Sequence, residues 1–274
     1  MNKSGMKSTL DSTASAMMDR DITASAARVC RFTLAALNDH AVGESGVHHM
    51  ATLDIPKVIT FDCYDTLCEF RIDDFTRDLV ADRAAGVDLD AMLKDYEDLR
   101  LHTTTHAPYA PYRDVLRDTQ REIFTRYGIA WRESDSEALL ADIVTWGPFP
   151  DVPPALEKLR QHCKLAIISN SDDDIMAHNV ANIGVPIDYV ITAQQAGAYK
   201  PAKQTFDYAL QVIGVPKEDV LHVAQGFEYD MVPAHAMGWT HVWINRYGLP
   251  GDQAYGPYYE QPDLGGVVKL LGLD

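Results

Sequence analysis

The stretch VITFDCYDTL, residues 58–67, decides the fold of this 274-residue chain. Its first four residues form an apolar, β-branched run typical of a buried strand, and Asp62 follows where that strand ends. Four similar runs lie downstream, and helix-length segments separate them. Strands that alternate with helices predict an α/β fold with a parallel sheet of right-handed βαβ units. The predicted strands are Val58–Phe61, Leu165–Ser169, Tyr189–Thr192, Val220–Ala224 and His241–Asn245.

A long segment separates the first predicted strand from the second, and most of it has helical periodicity. The helices predicted there are Asp73–Ala85, Leu89–Leu101, Pro111–Tyr127 and Ser136–Thr145. We therefore expect a doubly wound parallel sheet with a helical domain inserted after its first strand. The expected division is an N-terminal extension over 1–55, a core over 56–70 and 148–274, and a helical insertion over 71–147.

The composition is that of an ordinary globular protein, with 46% hydrophobic and 23% charged residues. The net charge of -16 repels a phosphate backbone, so no nucleic-acid partner is expected. No uncharged apolar run approaches the roughly 20 residues that a spanning helix needs, which argues against a membrane protein. The four cysteines form no C-x-x-C pair, so neither a zinc site nor a disulfide framework is expected.

The first fifty residues are rich in Ser, Thr, Ala and Met. Their longest apolar stretch, Phe32 to Leu37, is shorter than the apolar region of a secretory signal, so a cytoplasmic location is expected. Arg28, Arg31 and the small residues 24–26 leave periplasmic export by a leader as the alternative. Met50 is an alternative start of translation.

Polar side chains follow several of the predicted strands. Asp62 follows the first strand, Ser169 and Asn170 end the second, and Asp230 comes shortly after the fourth, while Lys200 precedes a helix. Ligands of open parallel sheets bind at the carboxyl ends of the strands, so these side chains are expected to converge in one crevice. A lysine that faces a carboxylate lowers its pKa and orients it as a nucleophile. Singly, each of these residues is equally typical of a turn cap or a structural ion pair.

Together, these segments resemble a known family. FDCYDTL (61–67), ISN (168–170), YKP (199–201) and the loop 226–230 resemble, in order and spacing, the four motifs of the haloacid dehalogenase superfamily. The resemblance covers residues 57 to about 246 and implies a Rossmann-like core with a helical cap domain. It also implies that Asp62 is the nucleophile, that Thr66 and Ser169 support it by hydrogen bonds, and that Lys200 orients it.

Two departures separate the chain from the magnesium-dependent phosphatases of that superfamily. Tyr64 stands where those phosphatases have a general-acid aspartate, and Gln225 stands where they have a metal-binding aspartate. Phosphoryl transfer needs a metal to neutralise charge and a proton for the leaving oxygen. We therefore expect no metal and no cofactor, and a magnesium-dependent phosphatase is the least favoured of three functions.

The D-x-Y-x-T-L version of the first motif is similar to that of the L-2-haloacid dehalogenases. This resemblance implies that Asp62 displaces a leaving group from the α-carbon of a small 2-substituted carboxylic acid, with an (S)-2-haloacid as the first choice. Water then attacks the resulting ester with the help of Asp230. A small carboxylate is thus the expected partner, and the exposed cap helices suggest a homodimer by family analogy.

In the same scheme, Ser169 and nearby backbone N–H groups hold the substrate carboxylate, and Asn170 and a cap arginine hold the leaving group. Arg100 is the first candidate for that arginine, and Arg113 is its rival. The residues expected to contact the substrate are Tyr64, Arg100, Asn170, Gln225 and Phe227.

Three residues depart from the dehalogenase pattern: Phe206 replaces a tyrosine, Gln225 a serine and Phe227 an asparagine. The Gln225 amide can still position a water molecule. The two phenylalanines predict a drier site of different shape, which leaves a second substrate class open. In that alternative the same nucleophile opens a strained cyclic amino acid, L-azetidine-2-carboxylate, and Asp65 or Glu228 faces the departing amine.

Overall fold

The computed structural model describes residues 53–106 and 108–273. Nearly all of the expected N-terminal extension therefore lies outside the described residues, together with the leader segment and the alternative start at Met50. In the part of the chain that is described, no helix has the length and apolarity needed to cross a bilayer.

The core of the fold is one sheet of six parallel strands in the order β3-β2-β1-β4-β5-β6. The strands are β1 Val58–Phe61, β2 Lys164–Ser169, β3 Tyr189–Thr192, β4 Val220–Ala224, β5 Thr240–Ile244 and β6 Tyr259–Gln261. The prediction of a doubly wound, Rossmann-like parallel sheet is confirmed. Its five predicted strands are present: β2 begins one residue earlier than predicted, β5 is shifted by one residue, and β6 is an addition that the sequence did not indicate.

Ten α-helices accompany these strands among the described residues. They are α1 Ile72–Val80, α2 Leu89–His106, α3 Tyr112–Arg126, α4 Glu133–Ile143, α5 Val152–Leu159, α6 Asp173–Ile183, α7 Ala193–Ala196, α8 Lys203–Ile213, α9 Val232–Met237 and α10 Leu264–Leu270. A wide π-type turn, Phe227–Met231, leads from β4 into α9. Helix α1 ends five residues before the predicted Ala85, and α2 continues five residues beyond the predicted Leu101.

Helices cover both faces of the sheet, which explains why three of the four residues of β1 are apolar. On one face, Ile59 and Phe61 pack with residues of α5, α6 and α10. On the other face, Val58 packs with residues of α8 and α9. All four residues of β1 are buried, and the strand is hydrogen-bonded to β2 on one side and to β4 on the other.

Helices α1 to α4 have a hydrophobic core of their own. Met92, Leu116 and Phe124 are fully buried in it. Ile175 of α6 and Tyr199, which lies between α7 and α8, also contribute side chains. Two asparagines of α6 hold the end of α4, since the Asn179 amide donates to the carbonyl of Ile143 and that of Asn182 to Val144. The division into a core and a cap domain at residues 71–147 stays a prediction.

Candidate active site

Asp62 lies at the carboxyl end of the central strand. Its backbone N–H donates to the Val223 carbonyl of β4 at 3.2 Å, which fixes the chain as it leaves the sheet. The Thr66 hydroxyl donates to Oδ2 of Asp62 at 3.1 Å and accepts the backbone N–H of Gln225 at 2.8 Å. Thr66 therefore links the loop after β1 to the loop after β4 and orients the Asp62 carboxylate.

Lys200 joins two carboxylates beneath the strand ends. Its Nζ lies 2.7 Å from Oδ1 of Asp62 and 2.7 Å from Oδ1 of Asp230, and the lysine is 1% exposed. Asn170 fixes the lysine backbone, since its Oδ1 accepts the Lys200 N–H at 2.6 Å and its Nδ2 donates to the Lys200 carbonyl at 3.0 Å. The expectation that the residues at the strand ends converge agrees with the placement of Asp62, Asn170, Lys200 and Asp230, but Ser169 does not join them.

Burial and charge act on the three ionisable groups in opposite directions. Burial raises the pKa of the Asp62 carboxyl above its ordinary value, and Lys200 only partly offsets this. Burial acts on Asp230 too, but Lys200 and His222 hold the pKa of that carboxyl below its ordinary value. Burial also acts to lower the pKa of the Lys200 ammonium, yet the two carboxylates raise it. Lys200 is therefore a permanent cation between Asp62 and Asp230.

These side chains line a cavity of about 200 Å³ that lies between the strand ends and helices α2 and α3. Its lining residues are Asp62, Tyr64, Asp65, Phe70, Glu97, Arg100, Thr104, Tyr112, Asn170, Lys200, Gln225, Gly226, Tyr229 and Asp230. Most of the predicted site residues are among them. Phe70, Glu97, Thr104 and Tyr229 are additions that sequence reasoning missed, because no motif marks a residue that reaches the cavity through the packing of helices or a wide turn.

Thr66, Ser169 and Phe227 do not line the cavity. Ser169 is fully buried, and its hydroxyl has no hydrogen-bond partner among the described residues. Phe227 was expected to contact the substrate, but its ring packs edge-on against Trp243 with the ring centroids 5.1 Å apart. The wide turn that starts at Phe227 directs this side chain toward β5. Phe206 is also fully buried, with its ring edge-on to His222.

Arg100 and Arg113 occupy very different environments. The Arg100 guanidinium lies 4.3 Å from the centroid of the Tyr96 ring, and the residue is 7% exposed. Its Nη1 is buried without a hydrogen-bond partner in the described part of the chain. The Arg113 side chain is 43% exposed and is bound to Asp172 and Asp174. Of the two rivals, only Arg100 lines the cavity.

Two more lining residues have hydrogen bonds that restrict their orientation. The Tyr64 hydroxyl donates to Oδ1 of Asn179 at 2.9 Å, so its hydrogen is engaged by that amide. Asp65 has a φ of 58°, a left-handed conformation that Asp and Asn adopt more readily than most residues. Its Oδ1 accepts the Tyr247 hydroxyl at 2.7 Å, and burial raises its pKa to about 6. The residues described by the structure contain no group of three or more His, Cys, Asp or Glu side chains arranged to hold a metal ion.

A doubly wound parallel sheet with a polar cavity at its strand ends is the architecture of an α/β enzyme. The chain belongs to the haloacid dehalogenase-like hydrolase family, whose model matches residues 56–238. It is 31% identical over 145 residues to haloacetate dehalogenase H-2 of Moraxella sp. (strain B), a match that covers 52% of this chain and 64% of that enzyme. The chain thus spans less than two thirds of that relative's length.

Two further comparisons agree with this assignment. The chain is 27% identical over 169 residues to the (S)-2-haloacid dehalogenase of Pseudomonas sp. (strain YL), which covers 60% of this chain and 72% of that enzyme. The fold matches the crystal structure of the L-2-haloacid dehalogenase RSc1362 with a TM-score of 0.71 and 23% identity, over 80% of this chain and 100% of the other. This structural likeness shows the fold, and the family match identifies the chain as a haloacid dehalogenase-like hydrolase.

Proposed function

We propose that this hydrolase displaces the α-substituent of a small 2-substituted carboxylic acid, with an (S)-2-haloacid as its substrate. The observation that carries the proposal is the set of side chains that line one small cavity. It holds the Asp62 carboxylate, fixed on one oxygen by Lys200 and on the other by Thr66, together with the buried guanidinium of Arg100. A fixed carboxylate is a nucleophile, and a buried guanidinium with a free N–H binds an anion.

In the first step an oxygen of Asp62 attacks the α-carbon from the side opposite the halogen. The new C–O bond forms an ester, the carbon–halogen bond breaks, and its electron pair leaves with the halide. Because a halide departs without a proton, the step needs no general acid. This agrees with the Tyr64 hydroxyl donating its hydrogen to Asn179.

In the second step water attacks the carbonyl carbon of the Asp62 ester and releases the 2-hydroxy acid. Asp230 is suited to accept the proton of this water, because it lines the cavity and its pKa keeps it ionised at neutral pH. Attack at the Asp62 carbonyl places one oxygen atom of the water in the Asp62 carboxylate. The configuration at the α-carbon is inverted, since only the first step takes place at that carbon.

Arg100 is the proposed anion-binding residue of the cavity. An unpartnered buried guanidinium N–H is costly, and an anionic substrate or a departing halide would satisfy it. The cavity of about 200 Å³ suits an acid of few carbon atoms. The relative from Moraxella is named a haloacetate dehalogenase and the one from Pseudomonas an (S)-2-haloacid dehalogenase, and both names support the same substrate class.

Ring opening of L-azetidine-2-carboxylate uses the same nucleophile and stays the alternative. Glu228 does not line the cavity, so Asp65 is the residue that would face the departing amine in that reaction. The relatives' names favour the haloacid over the cyclic amino acid.

The test is chloride release from (S)-2-chloropropionate in the presence of EDTA, beside ring opening of azetidine-2-carboxylate under the same conditions. We expect chloride release by the wild type and by Asp174→Asn, an exposed control, and none by Asp62→Asn. A single turnover in ¹⁸O-labelled water should place the label in the Asp62 carboxylate. Ring opening without chloride release would show that the enzyme hydrolyses a C–N bond and not a carbon–halogen bond. Phosphate release from a phosphate ester that requires magnesium would refute both.

A further inference from the structure

A buried histidine lies behind the ion pair of the site. His222 is in the middle of β4, is fully buried, and is paired in register with Thr60 of β1. Its Nε2 lies 3.0 Å from Oδ1 of Asp230, and its Nδ1 lies 2.9 Å from the Thr60 hydroxyl. The rings of Phe206 and Trp239 stand edge-on to the imidazole and keep this side of the site apolar.

The partners of the imidazole fix the hydrogen on Nε2. Oδ1 of Asp230 also accepts the Lys200 ammonium at 2.7 Å, and a carboxylate oxygen in such a bond has no hydrogen to give. Nε2 therefore carries the hydrogen and donates it to Asp230. The Thr60 hydroxyl serves Nδ1 as acceptor or donor, since its own hydrogen can reach the Leu221 carbonyl at 3.4 Å.

Two donors on Oδ1 leave the other oxygen of Asp230 free. Oδ2 is buried and has no hydrogen-bond partner among the described residues. It lies against Gly226, where an added Cβ would come within 2.7 Å of it. Gly226 and Asp230 both line the cavity, so the absence of a side chain at Gly226 leaves uncovered the one oxygen of Asp230 that can still accept a proton.

We propose that His222 is a positioning residue for the hydrolytic half of the reaction, in which its Nε2–H holds Oδ1 of Asp230 and leaves Oδ2 to take the proton of the attacking water. This inference rests on the proposed function. The water oxygen bonds to the Asp62 carbonyl carbon, and its proton passes to Oδ2. When the ester C–O bond breaks, its electron pair goes to the hydroxy-acid oxygen, which takes the proton back from Oδ2. The second proton of the water leaves the new Asp62 carboxyl group to solvent and restores the carboxylate. His222 has no hydrogen bond to Asp62, whose two oxygens are held by Lys200 and Thr66, so we expect halide displacement to change little without it.

The kinetic test separates the two steps by rapid quenching with (S)-2-chloropropionate. In His222→Leu, chloride release in the first turnover should stay within about threefold of the wild type. Steady-state turnover should fall about 10- to 100-fold, the loss of one hydrogen bond to a charged group. Ester should then accumulate on Asp62, visible as one substrate-derived group in the mass of the protein. His222→Gln restores an N–H near the position of Nε2 and should recover most of the turnover.

A structural role alone would lower both rates together, without accumulated ester, and that result would overturn the proposal. Unchanged turnover in a folded His222→Leu would overturn it as well. A substrate-free measurement separates this inference from the proposed function. In ¹⁵N-histidine spectra of the wild type, Nε2 of His222 should carry a hydrogen whose shift moves in Asp230→Asn. An Nε2 without hydrogen would overturn the inference, whereas a protein that releases no chloride but shows this signal would refute only the haloacid substrate.

Discussion

The carboxylate of Asp172, just after β2, caps the helix that begins at Tyr112, sixty residues earlier in the chain. Oδ1 accepts the N–H of Tyr112 at 2.8 Å, and Oδ2 accepts the N–H of Arg113 at 3.0 Å. The first turn of a helix leaves such N–H groups without partners, and the preceding residue normally supplies the acceptor. Here that residue is Pro111, which has none, so the sheet region supplies the cap of α3.

Removing this cap should destabilise the protein. Asp172→Ala leaves two N–H groups of α3 without an acceptor and removes one of the two carboxylates bound to Arg113, and we expect a loss of about 1–2 kcal/mol in the free energy of unfolding. Urea unfolding followed by circular dichroism measures it. Asp174→Ala removes the exposed partner of Arg113 and should cost less than about 0.5 kcal/mol. Equal losses in the two variants would contradict the capping role of Asp172.

Lys200→Met should abolish turnover and destabilise the fold, because it leaves the Asp62 and Asp230 carboxylates buried without a cation. Breaking a buried ion pair from one side costs about 3–5 kcal/mol. The wild-type Asp230 has a lowered pKa, so its ionised form stabilises the fold above that pKa. Without the lysine, burial raises the pKa of both carboxyls. Their protonation at low pH removes the buried negative charges and so reduces the destabilisation of the variant.

The difference in unfolding free energy between the wild type and Lys200→Met should therefore be largest near pH 7 and shrink toward pH 4. Unfolding curves across this range measure it. Lys203→Met removes a lysine that is 69% exposed and should behave as the wild type at every pH. A deficit in Lys200→Met that does not change with pH would argue against the electrostatic explanation.

Asp65 should make substrate binding depend on pH. Burial raises its pKa to about 6, so it becomes negative as the pH rises through that value, beside the negative Asp62. An anionic substrate then binds less well, and KM for (S)-2-chloropropionate should rise between pH 5 and pH 7. Asp65→Asn keeps a residue that tolerates the left-handed backbone and should remove this rise. The same KM profile in both proteins would exclude Asp65 as its source.

Arg100→Met should raise KM for the haloacid about 10- to 100-fold, because it removes a charged hydrogen-bond donor from the cavity. Arg100→Lys keeps the charge but loses the planar group that stacks on Tyr96, so an intermediate value is expected. Arg113→Met is the matched control, since that arginine is bound to two aspartates outside the cavity, and its KM should be unchanged. If Arg113→Met raised KM instead, the anion site would be misassigned.

Most of the sheet could be predicted because a strand buried on both faces is a mostly apolar run. In β1 and β4 every residue is buried, and Thr60 and His222 are their only polar members. β6 could not be predicted in this way, because its three residues are polar or aromatic and Tyr259 and Glu260 are exposed. It lies at the edge of the sheet, next to β5 only, and is defined by backbone pairing rather than by burial.

The part of the site at the carboxyl edge of the sheet could be predicted for a related reason. Asp62, Lys200 and Asp230 are brought together by the common edge of a parallel sheet, which the strand pattern already defines. The contact of His222 with Asp230 depends on the wide turn after β4, and no periodicity in the sequence indicates that turn. The same turn directs Phe227 away from the cavity that the sequence assigned to it.

The central position of β1 also determines how the protein opens. Backbone hydrogen exchange at a given strand requires that its hydrogen bonds break, and β1 has partners on both sides. Its amide hydrogens should therefore exchange only when the whole sheet unfolds, whereas α1 to α4, with a hydrophobic core of their own, can open in smaller fluctuations. On the proposed mechanism, Asp62 would therefore be anchored to a strand that exchanges late, and local opening of the helices would admit a substrate and release a product without moving its carboxylate.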